Sequence, residues 1–318
     1  MAPDATIGSM YGSGPTRSFL GIPACEVLTP LEADAVVLGI PAATPYPSVG
    51  SYCVDGPNAI RRVMAQYSGA LHHHDFDFGE PLLPHGTRVV DAGDLPQDED
   101  ASVNRSRIGE VINWILEAGA VPIVLGGDDS VPIPLIGAFS GRGAFTVLQI
   151  DAHIDFRDDI AGERLGLSST MRRASEMGHV QRIIQVGQRG LGSARSSDVA
   201  DARKAGVHFI SSHQVHTAGV DPVLDLIEPG SNLLVTFDCD GLDPSIMPAV
   251  IGRAPGGLTY WQAVDLLRGA AKRARIASFD LVEFMPSRDV DGLGALVAGR
   301  IVATMVGVIL RQAALRSR

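Results

Sequence analysis

From residue 34 onward, short runs rich in Val, Ile and Leu alternate with amphipathic segments. This alternation constrains the fold more than any other feature of the sequence. The apolar runs have the length of buried strands, and the segments between them have helical periodicity. Such alternation is typical of a parallel sheet flanked by helices, and therefore of an α/β protein. We predict one wide sheet of about eight strands from the runs DAVVLGIP (34–41), TRVVDAG (87–93), VPIVLGG (121–127), FTVLQIDAH (145–153), RIIQVGQRG (182–190), VHFIS (207–211), LLVTFDCD (233–240) and IASFDLVEF (276–284).

Helix signals lie between these runs. Pro57 begins one helix, Gly119 ends a second, Thr259 caps a third, and a long apolar segment runs from Leu293 to about Leu315. The last of these fits either the core or an interface. No linker, repeat or low-complexity tract follows residue 25, so we predict a flexible N-terminal arm over 1–25 and a single domain over 26–318.

Acidic residues follow four of the predicted strands. Ligand sites in open parallel sheets form at the carboxyl ends of the strands, so these residues are candidates for chemistry. In an extended segment, residues two apart share a face, which predicts that the acids of each motif converge. The residues are Asp128 and Asp129 in GGDDS, Asp151, His153 and Asp155 in DAHIDFRDD, Asp238 and Asp240 in TFDCDGLDP, and Glu283 in DLVEF.

Several carboxylates in one cleft cannot all remain ionised without cations, because like charges and loss of solvent both oppose ionisation. A pair of divalent ions would resolve this. Oxygen-rich ligation with one imidazole suits Mn²⁺ best, with Ni²⁺ or Co²⁺ as alternatives. A single aspartate at a strand end more often caps a helix, but the joint pattern favours metal.

Charge and composition exclude some partners. The formal net charge of −10 argues against nucleic acid and suits a cationic ligand, although acidic surfaces mostly serve solubility. No run of about 18 uncharged apolar residues predicts a membrane span. Three cysteines and no secretory signal at the N-terminus predict a cytoplasmic protein.

Taken together, GGDDS, DAHIDFRDD, TFDCDGLDPSIMP and DLVEF resemble, in order and separation, the motifs of the ureohydrolase family, which includes arginases and agmatinases. The resemblance covers about 34–312, and GIP (39–41) with VDGPNAIRRV (54–63) resembles the agmatinase branch. It implies a three-layer α/β/α, arginase-like fold. It also implies a dinuclear Mn²⁺ centre whose bridging hydroxide attacks a guanidinium carbon and releases urea and an amine.

The resemblance further implies roles for individual residues. Asp151 and Asp238 would bridge the two ions. Asp155 would also receive a proton from the attacking hydroxide, and Glu283 would pair with the cationic nitrogens of the substrate. The full set of implied metal ligands is Asp129, Asp151, His153, Asp155, Asp238 and Asp240.

The chain departs from the family pattern at the first metal. The family motif reads Gly-Gly-Asp-His-Ser, and Asp129 stands where the histidine ligand would be. A retuned two-metal site, a site holding one ion and a site without the first metal all remain open.

A second departure concerns the family's His-Gly pair, which shuttles a proton to the leaving amine. The matching segment, GERLGLSSTMRR (162–173), contains no histidine. Ser168 and Ser169 lie near its place and are predicted to bind substrate, although a hydroxyl is a poor acid near neutral pH. The run His72, His73 and His74 is interpreted as an exposed edge rather than a metal site.

A third departure lies in the loop AATPYPSVGSYCVDGP (42–57), which lacks an acid that many agmatinase-like enzymes use. Tyr46, Tyr52 and Cys53 are candidates to line the pocket instead, with simple packing as the alternative.

Two main functions follow. The first is a metal-dependent amidinohydrolase that cleaves a C–N bond of a cationic guanidino compound. The second is a weakly or non-catalytic subunit of a heteromeric ureohydrolase, such as a complex of the biguanide or metformin hydrolase type. A metal-dependent amidase is a third possible function.

The resemblance implies a homo-oligomer, trimer or hexamer, or a hetero-oligomer with a second ureohydrolase-like chain. The choice of substrate depends on loop conformations and is not readable from the sequence.

Overall fold

The central sheet forms from the predicted apolar runs. The computed structural model describes residues 17–25, 31–192 and 194–316, and within them eight parallel strands form one sheet and two short antiparallel strands form another. Each of the eight predicted runs overlaps one strand of the large sheet. In chain order the strands are β1 Ala35–Ile40, β2 His74–Asp75, β3 Glu80–Pro81, β4 Val89–Asp94, β5 Val121–Gly126, β6 Phe145–Ile150, β7 Val180–Val186, β8 His208–Ile210, β9 Asn232–Asp238 and β10 Arg275–Val282.

Helices fill the connections between the strands. Thr259 caps its helix as predicted, because its Oγ1 accepts from the amide of Gln262 and the Gln262 side chain accepts from the amide of Thr259. The helices are α1 Gly56–Met64, α2 Ala101–Glu117, α3 Pro132–Gly137, α4 Thr170–Ser175, α5 Ser196–Lys204, α6 Ser212–Ala218, α7 Asp221–Leu224, α8 Tyr260–Arg273 and α9 Leu293–Arg316.

Two apolar cores, one on each face of the sheet, make the fold three-layered. Successive side chains of a strand point to opposite faces, so Val36 packs in one core and Val37 in the other. Helices α1, α8 and α9 contribute to the core that holds Val37, and α2 and α3 to the core that holds Val36. Strands covered on both sides are apolar throughout, which is why these runs lack the alternation of a half-exposed strand.

The strand order explains where the acidic residues meet. The sheet runs β4-β1-β5-β10-β9-β6-β7-β8, so the four strands that are followed by acidic motifs are consecutive at its centre. Because all neighbours are parallel, their carboxyl ends lie along one edge.

The predicted N-terminal arm is corrected in part. Residues 17–25 pack against the domain: Phe19, Leu20 and Ile22 are buried, and the Phe19 amide donates to a carboxylate oxygen of Asp91 at 2.6 Å. Their apolar side chains give this segment a place in the core. The rest of the predicted arm, 1–16, lies outside the described residues.

Helix α9 is long and apolar enough to cross a membrane by length and composition, but 83% of its most apolar window is buried in the protein. Ile301 and Val302 lie in the core among residues of α1 and the sheet. Of the two placements that the sequence left open, this burial favours the core.

Candidate functional site

A cavity of about 230 Å³ lies at the carboxyl ends of the central strands. All four acidic motifs reach it, together with residues of the loops that follow β6 and β9. Its lining includes Asp129, His153, Asp155, Arg157, Ser168, Asp198, Asp238, Asp240, Gly252 and Glu283.

Two glycines bring the loop after β5 to this cavity. A Cβ on Gly127 would lie 2.0 Å from the carbonyl oxygen of Pro41, and one on Gly126 would lie 2.6 Å from Cγ1 of Val282. Only glycine allows the loop to pass so close to β1 and β10. The Gly-Gly pair therefore sets the position of the two aspartates behind it.

The adjacent acids Asp128 and Asp129 have different surroundings. Asp128 turns back into its own loop, where its Oδ1 accepts from the amide of Ser130 at 3.0 Å and from the Ser130 hydroxyl. Asp129 faces the cavity, and both of its buried carboxylate oxygens lack a hydrogen-bond partner among the described residues. Buried polar atoms are rarely left without partners, so Asp129 has the surroundings of a cation ligand.

The residues after β6 converge, but not in the way that strand alternation predicts. Strand β6 ends at Ile150, and Asp155 has a φ of +43°, which belongs to the left-handed region. The segment is thus a tight loop rather than an extended strand. Asp151 holds that loop, because its Oδ1 accepts from the amide of His153 at 2.5 Å.

Two groups of possible metal ligands result, and they share Asp151. In each group, one donor atom from every residue lies within 4.8 Å of the others. The first group contains Asp151, His153 and Asp240, and the second contains Asp129, Asp151 and Asp155. Together the two groups contain five of the six metal ligands that the resemblance implied, all but Asp238.

Asp238 lines the same cavity but belongs to neither group. Its Oδ1 accepts from the amide of Asp240 at 2.7 Å, in the 3₁₀ turn that follows β9. This hydrogen bond helps to orient Asp240 toward His153. Its predicted role as a bridging ligand stays a prediction.

His153 lies between two carboxylates. Its Nδ1 is 2.9 Å from Oδ2 of Asp240 and 3.4 Å from Oδ1 of Asp151. Burial opposes the charged imidazole, but the hydrogen bonds to Asp151 and Asp240 raise the pKa of His153 to about 12. A metal ion would take the place of that proton, since neutral imidazole is the ligand form.

The carboxylates of the cavity oppose one another's ionisation. Burial and then Asp155 and Asp151 raise the pKa of Asp129 well above its usual range. Burial likewise raises the pKa of Asp155, with Asp151 adding to the shift. The arrangement thus attracts cations strongly, and divalent ions would relieve the repulsion.

Glu283 lies just beyond β10 with a φ of +64°. Its Oε1 accepts from the amide of Asp129 at 2.9 Å, and both its oxygens accept from the Tyr52 hydroxyl. Burial and the Asp128 carboxylate raise the pKa of Glu283 to about 8, against the hydrogen bonds from Tyr52 and Asp129. A cation bound beside Glu283 would favour its ionised form, and the carboxylate lines the cavity where such a cation would lie.

The segment that lacks the histidine follows the loop after β6. Ser168 lines the cavity, whereas Ser169 is buried and is not part of the lining. Ser169 immediately precedes the buried start of α4, and its contact with substrate stays a prediction. His153 is the one histidine among the described lining residues.

The other histidines lie elsewhere. His72, His73 and His74 are exposed, as predicted. His73 and His74 line a separate cavity of about 320 Å³ beside α1 and α9.

Some residues that shape the site were not predicted. Gln149 donates to Oδ2 of Asp151 at 2.7 Å and to Oδ2 of Asp155 at 3.0 Å, and Gln185 donates to the Gln149 side chain. Arg189 donates to the carbonyl oxygens of Asp240 at 2.6 Å and Ala254 at 2.8 Å. One signal was available: Gln149 is a polar residue within a buried strand, two positions before Asp151.

Comparison with known proteins agrees with this geometry. The sequence model that describes the arginase family matches residues 33–307 of this chain. The mitochondrial arginase of Medicago truncatula is 34% identical over 228 residues, which are 67% of this chain and 65% of that arginase. The match therefore spans just under two thirds of that relative.

Two further matches cover nearly the whole chain. Guanidinobutyrase from Pseudomonas aeruginosa is 28% identical over 94% of this chain and 95% of its own length. The crystal structure of a hypothetical agmatinase from Burkholderia thailandensis matches with a TM-score of 0.81 at 25% identity, over 95% of this chain and 93% of that one.

Proposed function

The chain belongs to the arginase family, and from that premise we propose that it is a metal-dependent amidinohydrolase that cleaves a C–N bond of a guanidino compound. The products would be urea and an amine. Members of the family hydrolyse guanidino compounds, and the carboxylate-rich cavity suits a cationic substrate of that class.

The two ligand groups that share Asp151 carry the proposal. The donor chemistry of this cavity fits divalent ions: five aspartates and one imidazole offer the hard, oxygen-rich ligation that Mn²⁺ prefers, and Ni²⁺ is the alternative. The buried, unpartnered oxygens of Asp129 support the same fit. Gly252 adds to it, because a Cβ there would lie 2.9 Å from Cε1 of His153.

The residues that would hold two ions are Asp129, Asp151, His153, Asp155, Asp238 and Asp240. When bound, such a pair of ions lowers the pKa of water and makes a nucleophile available near neutral pH. Asp155 would accept the proton of that water, and Gln149, which donates to Oδ2 of Asp155, would keep the carboxylate oriented. Glu283 would hold the guanidinium by charge and hydrogen bonds.

Departure of the amine requires a proton, and the residues of 162–173 offer no imidazole for it. We propose that the proton held by Asp155 after the attack would pass to the amine. The comparisons do not favour the alternative of a non-catalytic subunit. An oligomer, a trimer or hexamer, stays a prediction.

Metal content and urea release together test the proposal. The full chain is produced alone in medium with Mn²⁺ and, separately, with Ni²⁺, and bound metal is measured by elemental analysis. We expect about two ions per chain and urea release from at least one of agmatine, 4-guanidinobutyrate and arginine. Protein with less than one ion per chain and no urea release in either medium would overturn the proposal.

A further inference from the structure

We propose that Tyr52 is a positioning residue that orients the carboxylate of Glu283 for a guanidinium ion. The inference rests on the proposed function, because it takes Glu283 as the carboxylate that binds the substrate cation. Tyr52 and Glu283 are 231 residues apart in the chain, and the contact arises only from the fold.

The contact is close and symmetrical. The Tyr52 hydroxyl lies 2.7 Å from Oε1 and 2.8 Å from Oε2 of Glu283, and the Asp129 amide lies 2.9 Å from Oε1. These are good distances for hydrogen bonds to a charged acceptor. With two groups holding one carboxylate, its plane is set before any ligand arrives.

One acceptor position of Glu283 remains for a ligand. A carboxylate has about four lone-pair positions, and the contacts of the Tyr52 hydroxyl with both oxygens and of the Asp129 amide with Oε1 use three, which leaves one on Oε2. Glu283 lines the cavity, and Tyr52 is not part of that lining. The cavity side of the carboxylate is therefore left for a guanidinium.

The loop that carries Tyr52 is docked firmly. A Cβ on Gly56, at the end of that loop, would lie 3.1 Å from the carbonyl oxygen of Phe284, the residue after Glu283. The Gly56 amide also donates to the carbonyl oxygen of Cys53 at 2.8 Å. The loop that carries Tyr52 is thus packed against the segment that contains Glu283 and Phe284.

Glu283 needs such support. Its left-handed backbone conformation is costly for a residue with a Cβ, and it persists only where surrounding contacts hold it. Burial and the Glu283 charge raise the pKa of Tyr52 far above its usual range, so the phenol keeps its proton and acts as the donor. The hydroxyl can therefore orient the carboxylate without giving up its proton to it.

The opposite reading is that Tyr52 occupies the place of the substrate cation. The two interpretations predict opposite changes in guanidinium affinity when the Tyr52 hydroxyl is removed. A positioning residue strengthens guanidinium binding, and its loss weakens it. A competitor blocks the site, and its loss strengthens binding.

A double-mutant cycle on the full, metal-loaded chain separates them. The dissociation constant of guanidinium ion, at millimolar concentrations well below denaturing ones, is measured by calorimetry for wild type, Tyr52→Phe, Glu283→Gln and the double variant. We expect Tyr52→Phe to weaken binding about tenfold and to have no further effect in the Glu283→Gln background. The matched control is Tyr67→Phe, at a half-buried tyrosine beside Arg300, which should bind as wild type.

Kinetics and a second variant complete the test. Tyr52→Phe should raise KM for the substrate more than it lowers kcat, with metal content and Tm as in the wild type. Tyr52→Gln keeps a neutral donor and should recover part of the affinity. The inference would be overturned if Tyr52→Phe and Tyr52→Gln lost the same affinity for guanidinium, or if the losses of affinity in the double-mutant cycle were additive. It would also be overturned if Tyr52→Phe bound guanidinium more tightly, or if the wild type did not bind it. Guanidinium binding without urea release would instead refute the proposed function.

Discussion

Asp128 and Asp129 show how one residue type serves two purposes at neighbouring positions. Asp128 accepts from Ser130 and shapes its loop, and Ser130 in turn accepts from the amide of Thr44 at 2.7 Å. Asp129 has no such partner for its carboxylate among the described residues and faces the cavity. The aspartate that stands at the family's histidine position therefore has the surroundings of a cation ligand, with one more negative charge and a shorter reach than imidazole.

Replacing Asp129 tests that role. Asp129→Ala should remove about one ion per chain and lower urea release with it, because a ligand of only one group is lost. Asp129→Asn is the control that keeps the shape of the side chain without the charge and should lose metal to an intermediate degree. Elemental analysis and urea assays measure both. Unchanged metal content with a higher Tm would show instead that Asp129 only adds repulsion.

Among the elements, the turns after the strands decide the geometry of the site. The loop after β5 passes through Gly126 and Gly127 because neighbouring backbone leaves no room for a Cβ. The loop after β6 bends through the left-handed conformation of Asp155, so His153 and Asp155 diverge toward different ligand groups. Both loops use the backbone to separate side chains that are close in sequence.

Gly127→Ala should therefore impair folding and the site together. Its Cβ would lie 2.0 Å from the Pro41 carbonyl oxygen, which is fixed backbone, so the loop must shift, at a cost of roughly 1–3 kcal/mol in unfolding free energy. We expect a lower Tm and reduced metal content. Gly109→Ala is the matched control: no atom lies within 4 Å of its Cβ, and in helix α2 alanine should be neutral or stabilising. Equal Tm values for the two variants would contradict this account.

For the molecule as a whole, the acidic groups within the sheet make its stability depend on pH. Asp280 is fully buried in β10, where its Oδ1 accepts from the Thr236 hydroxyl at 2.8 Å. Burial raises the pKa of Asp280 to about 7. A carboxyl whose pKa is higher in the folded than in the unfolded state binds protons on folding, so stability falls as pH rises between the two pKa values.

Asp280→Asn should remove this dependence, since the amide can still accept from Thr236 and cannot ionise. Between pH 5 and pH 7 the wild type should lose about 2 kcal/mol more unfolding free energy than the variant. The comparison is made by thermal unfolding with a chelator present, so that metal release does not contribute. The variant should be the more stable protein at pH 8 and nearly equal at pH 5. Parallel stability curves for the two proteins would argue against a raised pKa.

The sequence by itself determined the eight strands of the large sheet, the Thr259 helix cap and the four acidic motifs, because apolar periodicity and side-chain chemistry are local properties. Tertiary structure decided the rest. The order β5-β10-β9-β6 brings the motifs together, and the contacts of Gln149, Arg189 and Tyr52 depend on it. Which of two adjacent aspartates faces the cavity depends on backbone packed against Gly126 and Gly127. Such contacts join residues far apart in the chain, and no local pattern encodes the distance between them.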